Sequence, residues 1–173
     1  FFDPASKDYI GGLKTLARQI GAHSYHTHLK NGQLREVRER AAAESQKYGV
    51  EYHQTEWCFL GFYADPKKLD GFTADWKTKN YADMQTALHM AKIIYADLVF
   101  GGARSWSYWV ATELRDGICA LIDAEGFVED AKKGREMRPN KLLWALGNYS
   151  FFIRPGYERV SLEGAGDLDG VMA

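Results

Sequence analysis

Three short stretches of the chain gather residue types that can do chemistry: His23-Ser24-Tyr25-His26, Thr55-Glu56-Trp57 and Trp106-Ser107-Tyr108-Trp109. Each closes a strand-like run, which would bring a carboxylate, a histidine, a tyrosine and several tryptophans to one rim. A carboxylate can serve as acid, base or nucleophile. Flat aromatic faces pack cores, but they also stack on the C–H faces of sugars. In a regular strand His23 and Tyr25 share a face, as do Gln54 and Glu56, while Trp106 and Tyr108 lie opposite Trp109. Residue types alone leave plain alternatives open. Glu56 fits a strand-end salt bridge, His23 a satisfied core histidine, and the Trp106 and Trp109 pair ordinary packing. His23, His26 and His28 invite a metal reading, yet a strand end separates His23 from the other two and no third ligand is fixed by spacing. No metal and no cofactor is expected. Glu113 and Asp116 are conceivable second carboxylates, and read more simply as loop charges.

Composition narrows the partners. Lys and Arg number 22 against 23 Asp and Glu, for a net charge of -1. Such a balance gathers neither nucleic acid nor anionic lipid. The short basic run Lys132-Lys133-Gly134-Arg135 reads as a solvated loop. Aromatic residues make up 14% of the chain, and Trp residues crowd into short stretches at Trp57, Trp106 and Trp109. Cys58 and Cys119 are too few for a disulfide framework and read as buried thiols. No apolar run of about 18 residues is present, so no membrane span is expected. The chain opens at Phe1 rather than Met, which reads as a processed or excised start.

The elements that would position these residues alternate. Lys7 to Gln19 reads as the end of a helix, with Ile10, Leu13, Leu16 and Ala17 at helical spacing. Ile20 to Tyr25 is a first strand, Asn31-Gly32 a turn, and Gln33 to Tyr48 a helix closed by Gly49. Val50 to Cys58 is a second strand, followed by a loop with Asp65-Pro66 and Asp70-Gly71. Ala82 to Phe100 is a helix with Met84, Leu88, Ala91, Tyr95 and Leu98 on one stripe. Gly101-Gly102 ends it, and Arg104 to Ala111 is a third strand, with Ile118 to Ile122 part of a hairpin beside it. Asn140 to Phe151 is a last helix. Strand and helix alternating three times argue a parallel sheet of βα units. No Gly-rich phosphate loop follows any strand, which favours a (β/α) barrel over a nucleotide-binding sheet. Active sites of such barrels sit at the C-terminal strand ends, where the three stretches lie.

Gly21-Ala22-His23-Ser24-Tyr25, Gln54-Thr55-Glu56-Trp57 and Ser105-Trp106-Ser107-Tyr108-Trp109 resemble strands six, seven and eight of glycoside hydrolase family 30. Leu143-Trp144-Ala145-Leu146-Gly147-Asn148-Tyr149-Ser150, with Phe152-Ile153-Arg154-Pro155-Gly156, resembles the family's passage from the last helix into an accessory β-sandwich. The resemblance covers essentially the whole chain. It implies the C-terminal portion of a (β/α)8 TIM barrel over residues 1–153, and the beginning of the β-sandwich over 154–173.

The resemblance further implies a retaining glycosidase, acting on a carbohydrate such as β-1,4-xylan or β-1,6-glucan in a secreted or periplasmic setting. Glu56 maps onto the nucleophile. Tyr25 would hydrogen-bond it, His23 would orient it, and Trp57 and Trp109 would contact the sugar. The family's acid/base glutamate belongs to a strand-four Asn-Glu-Pro-type motif that is absent here, as are strands one to five. The expectation is therefore a fragment whose partner is the missing N-terminal part of the barrel. The alternative is a non-catalytic carbohydrate-binding or structural half-barrel.

Overall fold

A computed structural model describes residues 1–12, 14, 16–27, 33–58, 84–113, 120–123 and 137–160. Its elements are β1 (Gln19–His23), α1 (Gln33–Tyr48), β2 (Glu51–Glu56), α2 (Met84–Val99), the two-residue strands β3 (Thr112–Glu113), β4 (Ile122–Asp123) and β5 (Arg138–Pro139), and α3 (Lys141–Phe152). The fold is α/β. β1 and β2 pair in parallel, starting at Gln19 opposite Glu51. α1 is the crossover that a parallel pair requires.

The expected third strand is present as an extended segment rather than a regular strand. Arg104 N–H donates to Tyr52 O (2.8 Å), Gln54 N–H to Ser105 O (3.1 Å), Ser107 N–H to Gln54 O (3.0 Å) and Trp109 N–H to Trp57 O (3.0 Å). Residues 104–109 thus run along β2 on the side away from β1, bridged in parallel at Gln54 and Trp106. Beyond it, β3 pairs with β4 in parallel and β4 with β5 antiparallel. The expected hairpin at Ile118 to Ile122 is therefore corrected for its described residues. Leu121 and Ile122 N–H donate to Val110 O and Ala111 O, so the chain returns alongside in the same direction.

Two further expectations fail for local reasons. Among the described residues, Lys7 to Gln19 contains no α-helix: Gly11, at φ 88°, breaks the backbone, and Ile10 and Leu16 are exposed, with nothing to pack against. Of residues 154–173, where the sequence leads one to expect the first strand of a β-sandwich, the described part contains no strand, and Tyr157 to Val160 stay exposed. A turn precedes them, in which Tyr157 N–H donates to Arg154 O over Pro155 and Gly156, the latter at φ 88°. The turns at Asn31-Gly32, Asp65-Pro66 and Asp70-Gly71, the run Lys132–Arg135, and residues 161–173 lie outside the described residues.

Core packing rotates α2 relative to its expected stripe. Met90, Ile93 and Ile94 are buried with Trp57, Leu121 and Leu142, whereas Met84 and Leu88 are exposed. α2 is apolar on more than one side, so periodicity could not select the face. The strands take one side, and α3 takes another, where the Tyr149 hydroxyl donates to Ala91 O at 2.9 Å. Asn140 caps α3 by accepting from Leu142 N–H at 2.8 Å, and its side-chain amide donates to Ala120 O. No described helix is long and apolar enough to cross a membrane.

Candidate active site

The site is built where β1 and β2 end. Pairing proceeds residue by residue to Ala22 opposite Gln54, and then His23 lies opposite Glu56, skipping Thr55. One extra residue in β2 makes a bulge, and a bulge re-aims the side chains that follow it. Strict alternation would place Glu56 on the face of Gln54. Instead Gln54 is fully buried, and Glu56 sits 30% exposed beside the rim histidine. Gly21 permits the close approach of the two strands, since a Cβ there would lie 2.9 Å from Thr55 Cγ2.

Glu56 meets both residues expected to attend it. The Tyr25 hydroxyl donates to Glu56 Oε1 at 3.0 Å, and His23 Nδ1 stands 3.6 Å from the same oxygen. The His23 and Tyr25 rings meet edge to face, with centroids 5.6 Å apart at 86°. Burial pushes the Tyr25 hydroxyl well above its usual range, and Cys58 and then Glu56 add to the shift. Tyr25 therefore keeps its proton and can only support an ionised Glu56 as a donor.

The aromatic residues divide. Trp57, expected at the sugar, is instead fully buried, with Trp106 and Tyr108 at centroid distances of 6.2 and 6.3 Å. The bulge that releases Glu56 leaves its neighbour Trp57 turned into the core, so this ring presents no face to a ligand. Trp106 and Tyr108 pack around the same core, as their parity predicts. Trp109 is 53% exposed, and its backbone bond to Trp57 sets it at the same end of the sheet as Glu56. Among the described residues no three His, Cys, Asp or Glu converge as a metal site. His28, Asp116 and Cys119 lie outside them.

Sequence reasoning missed the support beneath the rim. Asp97 of α2 accepts from Arg38 Nε (2.7 Å), Trp106 Nε1 (2.9 Å) and Ser24 Oγ (3.0 Å). Gln54 Nε2 donates in turn to Ser24 Oγ at 3.3 Å. Arg38 also donates to the backbone oxygens of Leu34 and Thr27. One buried carboxylate thus ties α1, β1, α2 and the 104–109 segment together, directly next to Tyr25. Burial pushes the Asp97 carboxyl up, while Arg38, Trp106 and Ser24 oppose the shift. A signal did exist. Asp97 is the only charge in the apolar run Ile93-Ile94-Tyr95-Ala96-Asp97-Leu98-Val99.

The model of O-glycosyl hydrolase family 30 matches residues 1–122, more than two-thirds of the 173-residue chain. The chain belongs to this family. The match takes in β1, α1, β2, α2 and the 104–109 segment, and so includes every residue of the rim. A solved structure, a conserved exported protein from Bacteroides fragilis, superposes with a TM-score of 0.64 at 25% identity, over 90% of this chain. The family 30 chain described here spans only 33% of that protein's length.

Proposed function

We propose that this chain supplies the nucleophile side of a retaining β-glycosidase, and that its βα units are about strands six to eight of a (β/α)8 TIM barrel. The observation that carries the proposal is the bulge-directed Glu56 carboxylate, held by the Tyr25 hydroxyl at 3.0 Å with His23 beside it. Family membership makes glycoside hydrolysis the chemistry to which that arrangement belongs.

In this reading Glu56 attacks the anomeric carbon as a second carboxylic acid protonates the departing glycosidic oxygen. The second group lies about 5–5.5 Å away in retaining enzymes. Deprotonated by the first step, it then takes a proton from water as that water displaces Glu56 from the glycosyl-enzyme ester. The second carboxylate would come from the N-terminal part of the barrel, in the same protein or a second chain. Tyr25 orients the Glu56 carboxylate before attack. Trp109 lines the sugar at the cleavage point, and Trp57 serves it from beneath as core. β-1,4-Xylan and β-1,6-glucan are the polysaccharides to try first. Residues 154–173 would begin an accessory β-sandwich. The exported neighbour supports a secreted or periplasmic setting.

Glu56→Gln in the assembled enzyme should lower kcat by at least about a thousandfold, on the order of 4 kcal/mol of barrier. Azide should restore turnover to Glu56→Gly. Activity of Glu56→Gln within tenfold of wild type would remove Glu56 from the nucleophile role. A carbohydrate-binding half-barrel without catalysis would instead bind the polysaccharide and release no reducing sugar.

A further inference from the structure

The Tyr25 hydroxyl stands between two groups, 3.0 Å from Glu56 Oε1 and 3.5 Å from Cys58 Sγ. It has one proton to give. An ionised carboxylate accepts far better than sulfur, so the proton belongs to Glu56. The tyrosine oxygen keeps lone pairs that can accept, and a thiol is a weak donor. Cys58 is 1% exposed, and such burial favours the neutral thiol over the thiolate. Two residues beyond Glu56, Cys58 reaches the same tyrosine while Trp57 between them enters the core.

We infer that Cys58 is a positioning residue whose S–H donates to the Tyr25 oxygen and so holds the Tyr25 O–H on Glu56. The inference rests on Glu56 being the nucleophile. A thiol hydrogen beside the tyrosine oxygen closes off the rotor position that points at sulfur, and leaves the one that points at the carboxylate. The support therefore acts on the alignment of the attacking carboxylate rather than on sugar affinity.

The test uses Cys58→Val, which is apolar and has no donor, and Cys58→Ser, which keeps one. In the assembled enzyme Cys58→Val should lower kcat about tenfold with KM within about twofold. Cys58→Ser should recover part of the lost kcat. Infrared spectroscopy supplies a readout without substrate and without altering Cys58: its S–H stretch should rise in frequency in Tyr25→Phe, where the acceptor is gone. An unmoved S–H band, or Cys58→Val with wild-type kcat, overturns the inference. Full activity in Glu56→Gln would instead strike the nucleophile reading, and the infrared shift still decides the thiol contact.

Discussion

Trp57 and Trp109 have the same residue type and a shared backbone hydrogen bond, yet they should respond to truncation in opposite ways. Trp57 is fully enclosed, so Trp57→Ala should cost about 3–5 kcal/mol of stability, read as a lowered denaturation midpoint. Trp109 is 53% exposed, and Trp109→Ala should leave the midpoint nearly unchanged while weakening sugar binding several-fold. A Trp109 variant that loses as much stability as the Trp57 variant would assign that ring to the core. His89 supplies the pH dependence at this scale. Burial, with Lys92 nearby, lowers it from the ordinary 6.5 to about 4. A histidine depressed on folding contributes stability that is fully present above pH 6.5 and is lost as pH falls toward 4. The loss should reach about 3 kcal/mol, visible in urea midpoints between pH 7 and pH 4, and His89→Gln should flatten it.

Among the elements, the buried Arg38–Asp97 pair joins α1 to α2 at 2.7 Å. Removing one partner leaves the other charge buried, a change that typically costs about 3–5 kcal/mol. Asp97→Ala should therefore destabilise strongly, whereas joint replacement of Arg38 and Asp97 by apolar residues should recover much of the loss. The double variant is the informative one for function. With the fold restored but Ser24 and Trp106 released from Asp97, any remaining fall in kcat measures how far this clip aligns Tyr25 with Glu56. Equal kcat in wild type and double variant would make the clip purely a matter of stability.

For the molecule as a whole, β1 is the informative strand. Parallel strands are ordinarily covered on both faces. In β1 only Ile20 is even half-buried, and β2 is its one partner among the described residues. The residues left bare are Gln19, Gly21, Ala22, His23, Glu51 and Thr55. Gln54 and Tyr52 of β2, by contrast, lie on the side of the helices. Gln54 is fully buried, and Tyr52 lies near Asp97 and Arg38. Exposed Phe151, Phe152, Ile153, Tyr157 and Val160 extend the uncovered apolar surface past α3. An open strand edge and bare apolar side chains invite association. These 173 residues expressed alone should self-associate in light scattering and release no reducing sugar from xylan or β-1,6-glucan. Supplying the strands that the proposed barrel requires should relieve both. A monodisperse, active monomer would mean that the acid lies within this chain, and Glu113 would be the first residue to test.

Local sequence determined the parts that local physics controls. Gln33 to Tyr48 stands as expected because its helix formers end at Gly49, which takes φ 61°. The last helix starts at Asn140 because that side chain can cap it. Strand-like runs before His23 and Glu56 fixed which residues reach the rim, and family-specific motifs pointed to Glu56, His23 and Tyr25 together. What alternation could not supply was the bulge at Thr55, because an extra residue in one strand exists only relative to its partner. That bulge separated Glu56 from Gln54 and sent Trp57 inward. Tertiary packing likewise chose among the apolar sides of α2 and gathered Arg38, Ser24, Gln54 and Trp106 around Asp97, with Ser24 lying 73 positions away from it in the chain. A buried charge is tolerable only when its partners are assembled around it. Sequence can therefore reveal that Asp97 is out of place in an apolar helix, but only the folded chain names the groups that satisfy it.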